Sequence, residues 1–509
     1  MRFALRNVAG NYAVYAASIV SGIVLTPVIL HSIGKDGYGV WVFIGSVTVF
    51  LRTFDVGLAP SIVRYSAFYR GREDADAISA VASCALALYA AISALLAIAG
   101  VVFAIALPSL VSIHGSLAHT ARIAALVAVM TLALELPLTL FSNLLKGQQR
   151  FDIFNGASLV SIAVYAALVG GVLTQHRSIT VLALAALAGV LVRVLIPAML
   201  VRRELPELRL SLRLVSRARV RELASFSAYA SVGQIAGKIV FYADTVLIGL
   251  VLGSVSVATY GVALRLFTLA AGLASTGTDI LFPAFSELEG RGDAQTQVNY
   301  VPVSLRAAMC VVVLVTAPLL LLPSWVIDAW LGSGFRSSVA PLVLLAATLY
   351  FSAATSIMAQ FLLGRGRPGE LARVQSTFGI ANVIATVALL TAFRSIWLAA
   401  LATLVLEGLV GAVALPRVVA RDGIAYGALR RAWARPVAVG LPAAAVTLVP
   451  AAVLWHDSHS LPGLLAVGAL WTALYSAAAW FFALGRRERA FLRRGLAKAR
   501  GASDPVEAV

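Results

Sequence analysis

Ten ionisable side chains stand inside long apolar segments of this 509-residue chain, where a charge is costly. At the centre of a lipid-spanning helix a charge costs about 2.5–3.5 kcal/mol on insertion scales, so it usually faces a cavity, a ligand or an opposite charge. Five are basic and five acidic, so mutual neutralisation competes with a binding role. They are Arg52, Asp55, Glu135, Arg193, Lys238, Asp244, Arg265, Asp279, Arg306 and Glu407.

Lys238 is the residue whose surroundings most favour a cavity. Gln234 lies four residues before it and Tyr242 four residues after it, and such steps keep side chains on one face of a helix. Its sequence neighbours at three and four residues include no acid. We therefore predict that Lys238 faces a water-filled cavity and receives an anionic ligand there, with Gln234 and Tyr242 beside it.

Other charged positions admit two interpretations. Arg52 and Asp55 lie three residues apart, so they share a helix face and either pair with each other or line a cavity. Arg265 leads a polar stripe that faces either a cavity or an opposite charge on another lobe. Arg193 lies within reach of the cytoplasmic surface, and its side chain is expected to extend there. Glu135 receives no role.

The composition indicates that the chain around these charges lies in a lipid membrane. The chain is 60% hydrophobic and only 12% charged, with a mean hydropathy of +0.92, whereas soluble domains carry about 25% charged residues. Such a chain is predicted to fold in lipid as an all-α polytopic membrane protein. The net charge of +17 falls in short segments between apolar runs, which favours topology signals and anionic lipids over nucleic acid.

Motifs for catalysis, metal binding or cofactor binding are absent from the sequence. It has no phosphate-binding loop of the G-x-x-x-x-G-K-[ST] type, no H-E-x-x-H and no nucleophile elbow. The six histidines are scattered, and Cys84 and Cys310 each lie in an apolar helix. The glycine-rich stretch 364–369 follows a membrane helix and is basic, so it is interpreted as a cytoplasmic turn. We expect no enzyme activity, no metal and no cofactor.

Fourteen segments are apolar and long enough to span a membrane, which needs about 20 residues. They are Val8–Ile33, Tyr38–Val63, Ala77–Leu107, Ile123–Leu145, Phe154–Thr174, Ile179–Leu200, Phe226–Leu252, Val257–Phe282, Val303–Leu322, Val339–Leu363, Val374–Ala392, Ile396–Leu415, Val437–Val453 and Leu464–Leu484. With the N-terminus inside, thirty of the forty Lys and Arg residues fall on the cytoplasmic side and five fall outside. This bias predicts that both termini are cytoplasmic.

An internal repeat organises these segments. Asn11, Tyr15, Ser18, Gly22 and Thr26 match Ser227, Ser231, Gln234, Lys238 and Tyr242 at an offset of 216. A six-helix unit duplicated once gives two parallel lobes, because six is even and both copies enter from the same side. The predicted domains are a first lobe with its basic connector (1–220), a second lobe (221–417), an extra helix pair (418–484) and a basic cytoplasmic tail (485–509).

Four motifs carry a family resemblance. Gly34-Lys35-Asp36-Gly37-Tyr38-Gly39-Val40-Trp41, Phe54-Asp55-Val56-Gly57-Leu58, Leu145-Lys146-Gly147-Gln148-Gln149-Arg150-Phe151 and Asp244-Thr245-Val246-Leu247-Ile248-Gly249 resemble the bacterial polysaccharide (O-antigen type) flippases. These belong to the multidrug/oligosaccharidyl-lipid/polysaccharide exporter superfamily. The resemblance covers the first twelve segments and implies no role for the last two.

The resemblance implies a transporter of the bacterial cytoplasmic membrane. Its substrate would be an undecaprenyl-pyrophosphate-linked oligosaccharide unit, flipped by alternating access for surface polysaccharides such as O-antigen lipopolysaccharide or exopolysaccharide. Its partners would be membrane lipids, a polysaccharide polymerase and chain-length machinery. A cationic cavity at Lys238, Arg265 and Arg52 suits the pyrophosphate.

Three alternatives remain open at this point. A cation-coupled multidrug exporter shares the architecture, but it would favour carboxylates over Lys238 and Arg265 in its cavity. A peptidoglycan-precursor flippase is also fourteen-helical and cationic. A membrane-embedded glycosyltransferase or polymerase is opposed by the short outside loops.

Overall fold

A computed structural model describes residues 2–52, 58–70, 72–111, 113, 115–221, 223, 242–275, 278, 281–454, 460–485 and 489. The main α-helices in these ranges are α1 (Arg2–Arg52), α2 (Leu58–Arg70), α3 (Ala75–Leu110), α4 (Ser116–Gly147), α5 (Phe151–Leu168), α6 (Ile179–Glu204), α7 (Tyr242–Leu252), α8 (Ser254–Ser275), α9 (Leu281–Gly290), α10 (Ala294–Leu321), α11 (Pro323–Leu331), α12 (Val339–Gly364), α13 (Pro368–Phe393), α14 (Ile396–Leu409), α15 (Leu415–Ala420), α16 (Tyr426–Leu454) and α17 (Leu461–Ala478). Three single π-turns follow α5, α14 and α17.

Twelve helical stretches within the described ranges are long and apolar enough to cross a membrane. The chain is an all-helical, multi-pass membrane protein, as its composition predicted. α1 contains the first predicted span and the start of the second, and its helical geometry is interrupted at Gly34 (φ 73°, ψ 176°). The seventh predicted span falls mostly outside the described residues, and α7 is its end.

Two predicted spans, the second and the eighth, run across residues that lie outside the described ranges. The second span was predicted to run to Val63, whereas α1 ends at Arg52 and α2 begins at Leu58. The eighth was predicted to end at Phe282, whereas α8 ends at Ser275 and α9 begins at Leu281.

The chain forms two compact units, Met1–Ala258 and Thr259–Val509. In the first, α4 packs against α3 and α6, and its core includes the fully buried Tyr89 and Leu140. The segment after α6 is held along α3, because the backbone N–H groups of Arg209 and Ser211 donate to the Ser79 and Ser83 hydroxyls, both at 3.1 Å. The basic connector of the sequence is therefore docked on a membrane helix.

In the second unit, α10 packs against α12 and α16, and the α16–α17 pair is joined to α10 by a buried indole. Pro318 has no N–H, so the carbonyl of Leu314 four residues earlier has no donor from its own helix. Trp471 Nε1 donates to that carbonyl at 2.8 Å, and only 1% of this tryptophan is exposed. A group on α17 thus satisfies a carbonyl that a proline leaves open.

The start of α16 makes a second contact of the same kind. Pro416 removes the helix donor for the carbonyl of Ala412, and the Tyr426 hydroxyl donates to this oxygen at 2.8 Å. Two prolines in the second unit therefore create acceptors that the C-terminal helix pair fills, which ties the pair to that unit.

We expect Trp471→Phe to destabilise the protein by about 1–3 kcal/mol, because the ring packing survives but the buried Leu314 carbonyl loses its donor. Thermal melting of the detergent-solubilised protein measures the effect. Trp397→Phe is the matched control, since Trp397 is 42% exposed and should tolerate the change. Equal melting shifts for the two variants would contradict the role assigned to the indole.

Left-handed backbone turns recur along the chain at a near-constant separation. The paired positions are Gly34 and Gly253, Glu73 and Gly292, Gly115 and Gly332, and Gln149 and Gly366, all with φ between 54° and 84°. Helix caps recur with them: the Asp74 carboxylate accepts from the Ala77 N–H, and Asp293 accepts from Thr296 in the same way. The separations of 217–219 residues match the repeat found in the sequence and favour a duplicated unit.

Candidate functional site: a charged cavity in the first unit

The first signature motif forms a tight turn that packs within the first unit. Gly34 takes a left-handed conformation that side chains rarely adopt, and Asp36 Oδ1 accepts from the Ser254 hydroxyl at 3.1 Å. A Cβ at Gly39 would lie 1.9 Å from the Ser254 carbonyl oxygen, so the two backbones touch only because Gly39 has no side chain. The motif therefore fixes α1 against the start of α8.

The motif after α4 forms a turn that is held by side-chain hydrogen bonds and ion pairs. Arg70 Nη1 donates to the Gln148 carbonyl at 2.6 Å, and Gln148 Nε2 donates to the Ser66 hydroxyl at 3.1 Å. Arg150 donates to Asp152 at 3.1 Å and also pairs with Glu204. The Asp152 carboxylate, helped by Glu204, raises the pKa of Arg150. These contacts join α2, α4, α5 and α6.

The glycine-rich stretch 364–369 forms a second turn of this kind, between α12 and α13. Arg365 and Arg367 both donate to the Asp422 carboxylate, at 2.9 and 2.7 Å. The Glu370 carboxylate raises the pKa of Arg367, with a smaller contribution from Asp422. The arginines are thus engaged by acidic groups of the same unit, in agreement with the interpretation of this stretch as a turn.

A cavity of about 210 Å³ opens among α1, α4 and α6 of the first unit. Most of its wall is apolar, and polar groups are concentrated near Arg52 at the end of α1. The wall includes Trp41, Thr48, Arg52, Thr131, Glu135 and Val190. A water molecule needs about 10–15 Å³ of such space, so the cavity can hold a hydrated polar group.

Three charges meet at this cavity. Arg52 Nη2 and Arg193 Nη2 both donate to the same oxygen, Oε1 of Glu135, and both contacts are ion pairs. The Glu135 side chain is 6% exposed, whereas those of Arg52 and Arg193 are 44% and 30% exposed. The three residues together carry one net positive charge, and both arginines are partly exposed.

The structure corrects the expectation for Arg193 and identifies an ion-pair partner for Arg52. Arg193 was expected to extend to the membrane surface, and this is wrong, because it turns inward to Glu135, an anion within reach. Arg52 does line a cavity, and Glu135, with which it forms an ion pair, lies 83 residues away on another helix. Spacing along the sequence reports only neighbours on one helix, so it missed this contact. The unassigned acid within an apolar helix was the available signal.

The other predicted site residues are not assembled by the described part of the structure. Tyr242 is half-buried at the start of α7 in the first unit, and Arg265 is half-buried on α8 in the second. Lys238, Gln234 and Asp55 lie outside the described residues. Among the residues that are described, no three His, Cys, Asp or Glu side chains come together as a metal site requires.

Solved structures with the same fold are membrane transporters. An inward-facing multidrug resistance MATE family transporter of the MOP superfamily superposes with a TM-score of 0.65 at 15% identity, over 81% of this chain and 95% of that one. The lipid II flippase MurJ, in an inward closed conformation, also gives 0.65, at 13% identity over 92% of this chain and 99% of that one. The fold of this chain therefore resembles that of MOP-superfamily transporters.

Sequence comparison then identifies the family. Residues 4–289 match the family described as "Polysaccharide biosynthesis protein", which is more than half of the chain. A curated relative, "Uncharacterized membrane protein EpsK" of Bacillus subtilis (strain 168), is 23% identical over 511 residues, covering 99% of both chains. The chain belongs to the polysaccharide biosynthesis protein family, and the predicted resemblance is confirmed at that level.

Proposed function

We propose that this protein is a flippase for undecaprenyl-pyrophosphate-linked oligosaccharide repeat units in surface polysaccharide biosynthesis. It moves them across the bacterial cytoplasmic membrane by alternating access. The observation that carries the proposal is the charged cavity at Arg52, in a member of the polysaccharide biosynthesis family. Arginine forms paired, charge-assisted hydrogen bonds to phosphate oxygens, so an accessible arginine suits a pyrophosphate headgroup.

The cavity charge bears on the alternatives. A cation-coupled exporter of cationic drugs needs excess carboxylate, whereas Arg52, Glu135 and Arg193 carry one net positive charge. A peptidoglycan-precursor flippase would have a similar anionic substrate, and the fold is shared with such a protein. The family match favours surface polysaccharide over peptidoglycan.

The proposed architecture has fourteen spans in two parallel six-helix lobes plus a C-terminal pair. The two helical stretches of α1 on either side of Gly34 and the position of α7 support this number, and the matched turns support the duplication. Both termini are proposed to be cytoplasmic, on the strength of the charge bias in the loops.

Reporter fusions test this topology. An alkaline phosphatase fused after Trp455 should be active, because that loop is proposed to face outward. Fusions after Arg213 and Arg494 should be inactive, because both positions are proposed to be cytoplasmic. Phosphatase activity at Arg213 would invert the second lobe and contradict the six-plus-six division.

Deletion of the gene in its host tests the function. We expect loss of one surface polysaccharide, retained viability and accumulation of lipid-linked repeat units, all reversed by a plasmid copy. A lethal deletion would favour the peptidoglycan-precursor flippase. Normal polysaccharide with increased drug sensitivity would favour the exporter.

A further inference from the structure

A site that only binds phosphate would not need a carboxylate such as Glu135 beside its arginine. A carboxylate beside Arg52 competes with any phosphate for the same guanidinium, so a cavity built only to hold an anion would omit it. Glu135 is nearly fully buried, and its Oε1 receives hydrogen bonds from both Arg52 and Arg193. A buried charge that loses its partners is strongly destabilising, so the number of those partners matters.

The two arginines are not equivalent in position. Arg52 is part of the cavity wall, whereas Arg193 is not among the wall residues and reaches Glu135 from α6, one helical turn beyond Val190. Arg52 is also the more exposed of the two, at 44% against 30%. A ligand in the cavity can therefore reach Arg52 directly, whereas Arg193 lies outside the wall and contacts Glu135.

We infer that Glu135 is an internal counter-anion that a substrate phosphate displaces from Arg52. Arg193 is a positioning residue that holds Glu135 after the exchange. In the empty cavity Arg52 and Arg193 share the Glu135 carboxylate. When a phosphate oxygen binds Arg52, Glu135 keeps its bond to Arg193, so no buried carboxylate is left without a partner. The inference rests on the proposed function for its ligand, a pyrophosphate ester.

The exchange also gives the site a release step. An arginine free of any internal anion would hold a pyrophosphate tightly on either side of the membrane. Competition by Glu135 weakens the bound state, and the ion pair between Arg52 and Glu135 forms again when the ligand leaves. Binding is thereby balanced against release, as transport of a charged headgroup requires.

Binding to the purified full-length protein in lipid nanodiscs tests the inference. Calorimetry with farnesyl pyrophosphate measures the headgroup on an isoprenyl chain, and a parallel arm with inorganic pyrophosphate separates headgroup recognition from lipid recognition. We expect Glu135→Gln to tighten binding by about 5-fold, since a partly exposed ion pair contributes up to about 1 kcal/mol, and Arg52→Gln to weaken it by 10-fold or more.

The Arg193 variants distinguish a positioning role from direct contact. Arg193→Gln should weaken binding about 5-fold, because Glu135 then depends on Arg52 alone. The double variant Glu135→Gln/Arg193→Gln should bind as tightly as Glu135→Gln, because Arg193 is not needed once the carboxylate is gone. A double variant as weak as Arg193→Gln would overturn the inference and place Arg193 on the phosphate.

The matched control is Glu204→Gln, which removes a carboxylate paired with Arg150 away from the cavity and should leave binding unchanged. Melting curves establish that each variant is folded. If Glu135→Gln does not fold alone, the comparison of Arg193→Gln with the double variant Glu135→Gln/Arg193→Gln provides the test. Unchanged or weaker binding by folded Glu135→Gln would overturn the displacement while leaving the flippase proposal intact. A normal level of surface polysaccharide in the deletion strain would rule out the flippase proposal, whatever the measurements of pyrophosphate binding show.

Discussion

Gly39→Ala is expected to prevent the protein from accumulating in the membrane. The added Cβ would lie 1.9 Å from the Ser254 carbonyl oxygen and 2.6 Å from its carbon, both backbone atoms that cannot rotate away. Overpacking commonly costs about 1–3 kcal/mol, and a clash with backbone belongs at or above the top of this range. A loss of that size is a large part of a marginal total stability and lowers abundance several-fold.

Gly45→Ala is the matched control on the same helix, because no heavy atom lies within 4 Å of the Cβ that it adds. Quantitative immunoblots of the membrane fraction, with size-exclusion profiles of fluorescent-protein fusions, measure accumulation and folding. We expect Gly45→Ala to match the wild type. A monodisperse Gly39→Ala protein at wild-type abundance would show that α1 and the start of α8 can separate at little cost.

Lys238→Ala is expected to insert and accumulate normally but to lose export of the polysaccharide. The prediction rests on the sequence, because Lys238 lies outside the described residues. A lysine near mid-membrane is costly unless water or an anion receives its ammonium group, and a pyrophosphate-linked substrate supplies such an anion. Lys238→Arg should retain some export, since the charge survives although the planar guanidinium differs from a point charge.

Complementation of a flippase-null strain measures this effect, with surface polysaccharide and membrane abundance scored together. Lys498→Ala in the predicted cytoplasmic tail is the control and should export normally. Full export by Lys238→Ala at normal abundance would remove Lys238 from the mechanism and favour a packing role between helices.

The lipid environment and the helical class could be predicted because they depend on composition, which one sequence supplies in full. The positions of Arg193 and Glu135 could not, because their bond joins α6 to α4 across 58 residues. Helix periodicity orders the residues of one helix and says nothing about which face of a second helix meets it. The turn at Gly34 could be predicted in part. The sequence indicated a boundary between two spans there, but not the left-handed backbone conformation of Gly34.

The matched turns bear on how the two halves of the proposed duplication differ in length. Their separation is 219 at Glu73 and Gly292 but 217 at Gly115 and Gly332, so under the proposed duplication the second copy is two residues shorter between these points. Two residues correspond to roughly 200° of helix rotation, which would turn the packing face of a continuous helix almost to the opposite side. In the first copy α3 is unbroken, whereas in the second the helix stops at Leu322 (φ −124°, ψ 37°) and restarts as α11. Under the proposed duplication, this interruption offsets the two-residue difference in helical phase, so chimeras that exchange the two halves should be joined at the turns and never within these helices.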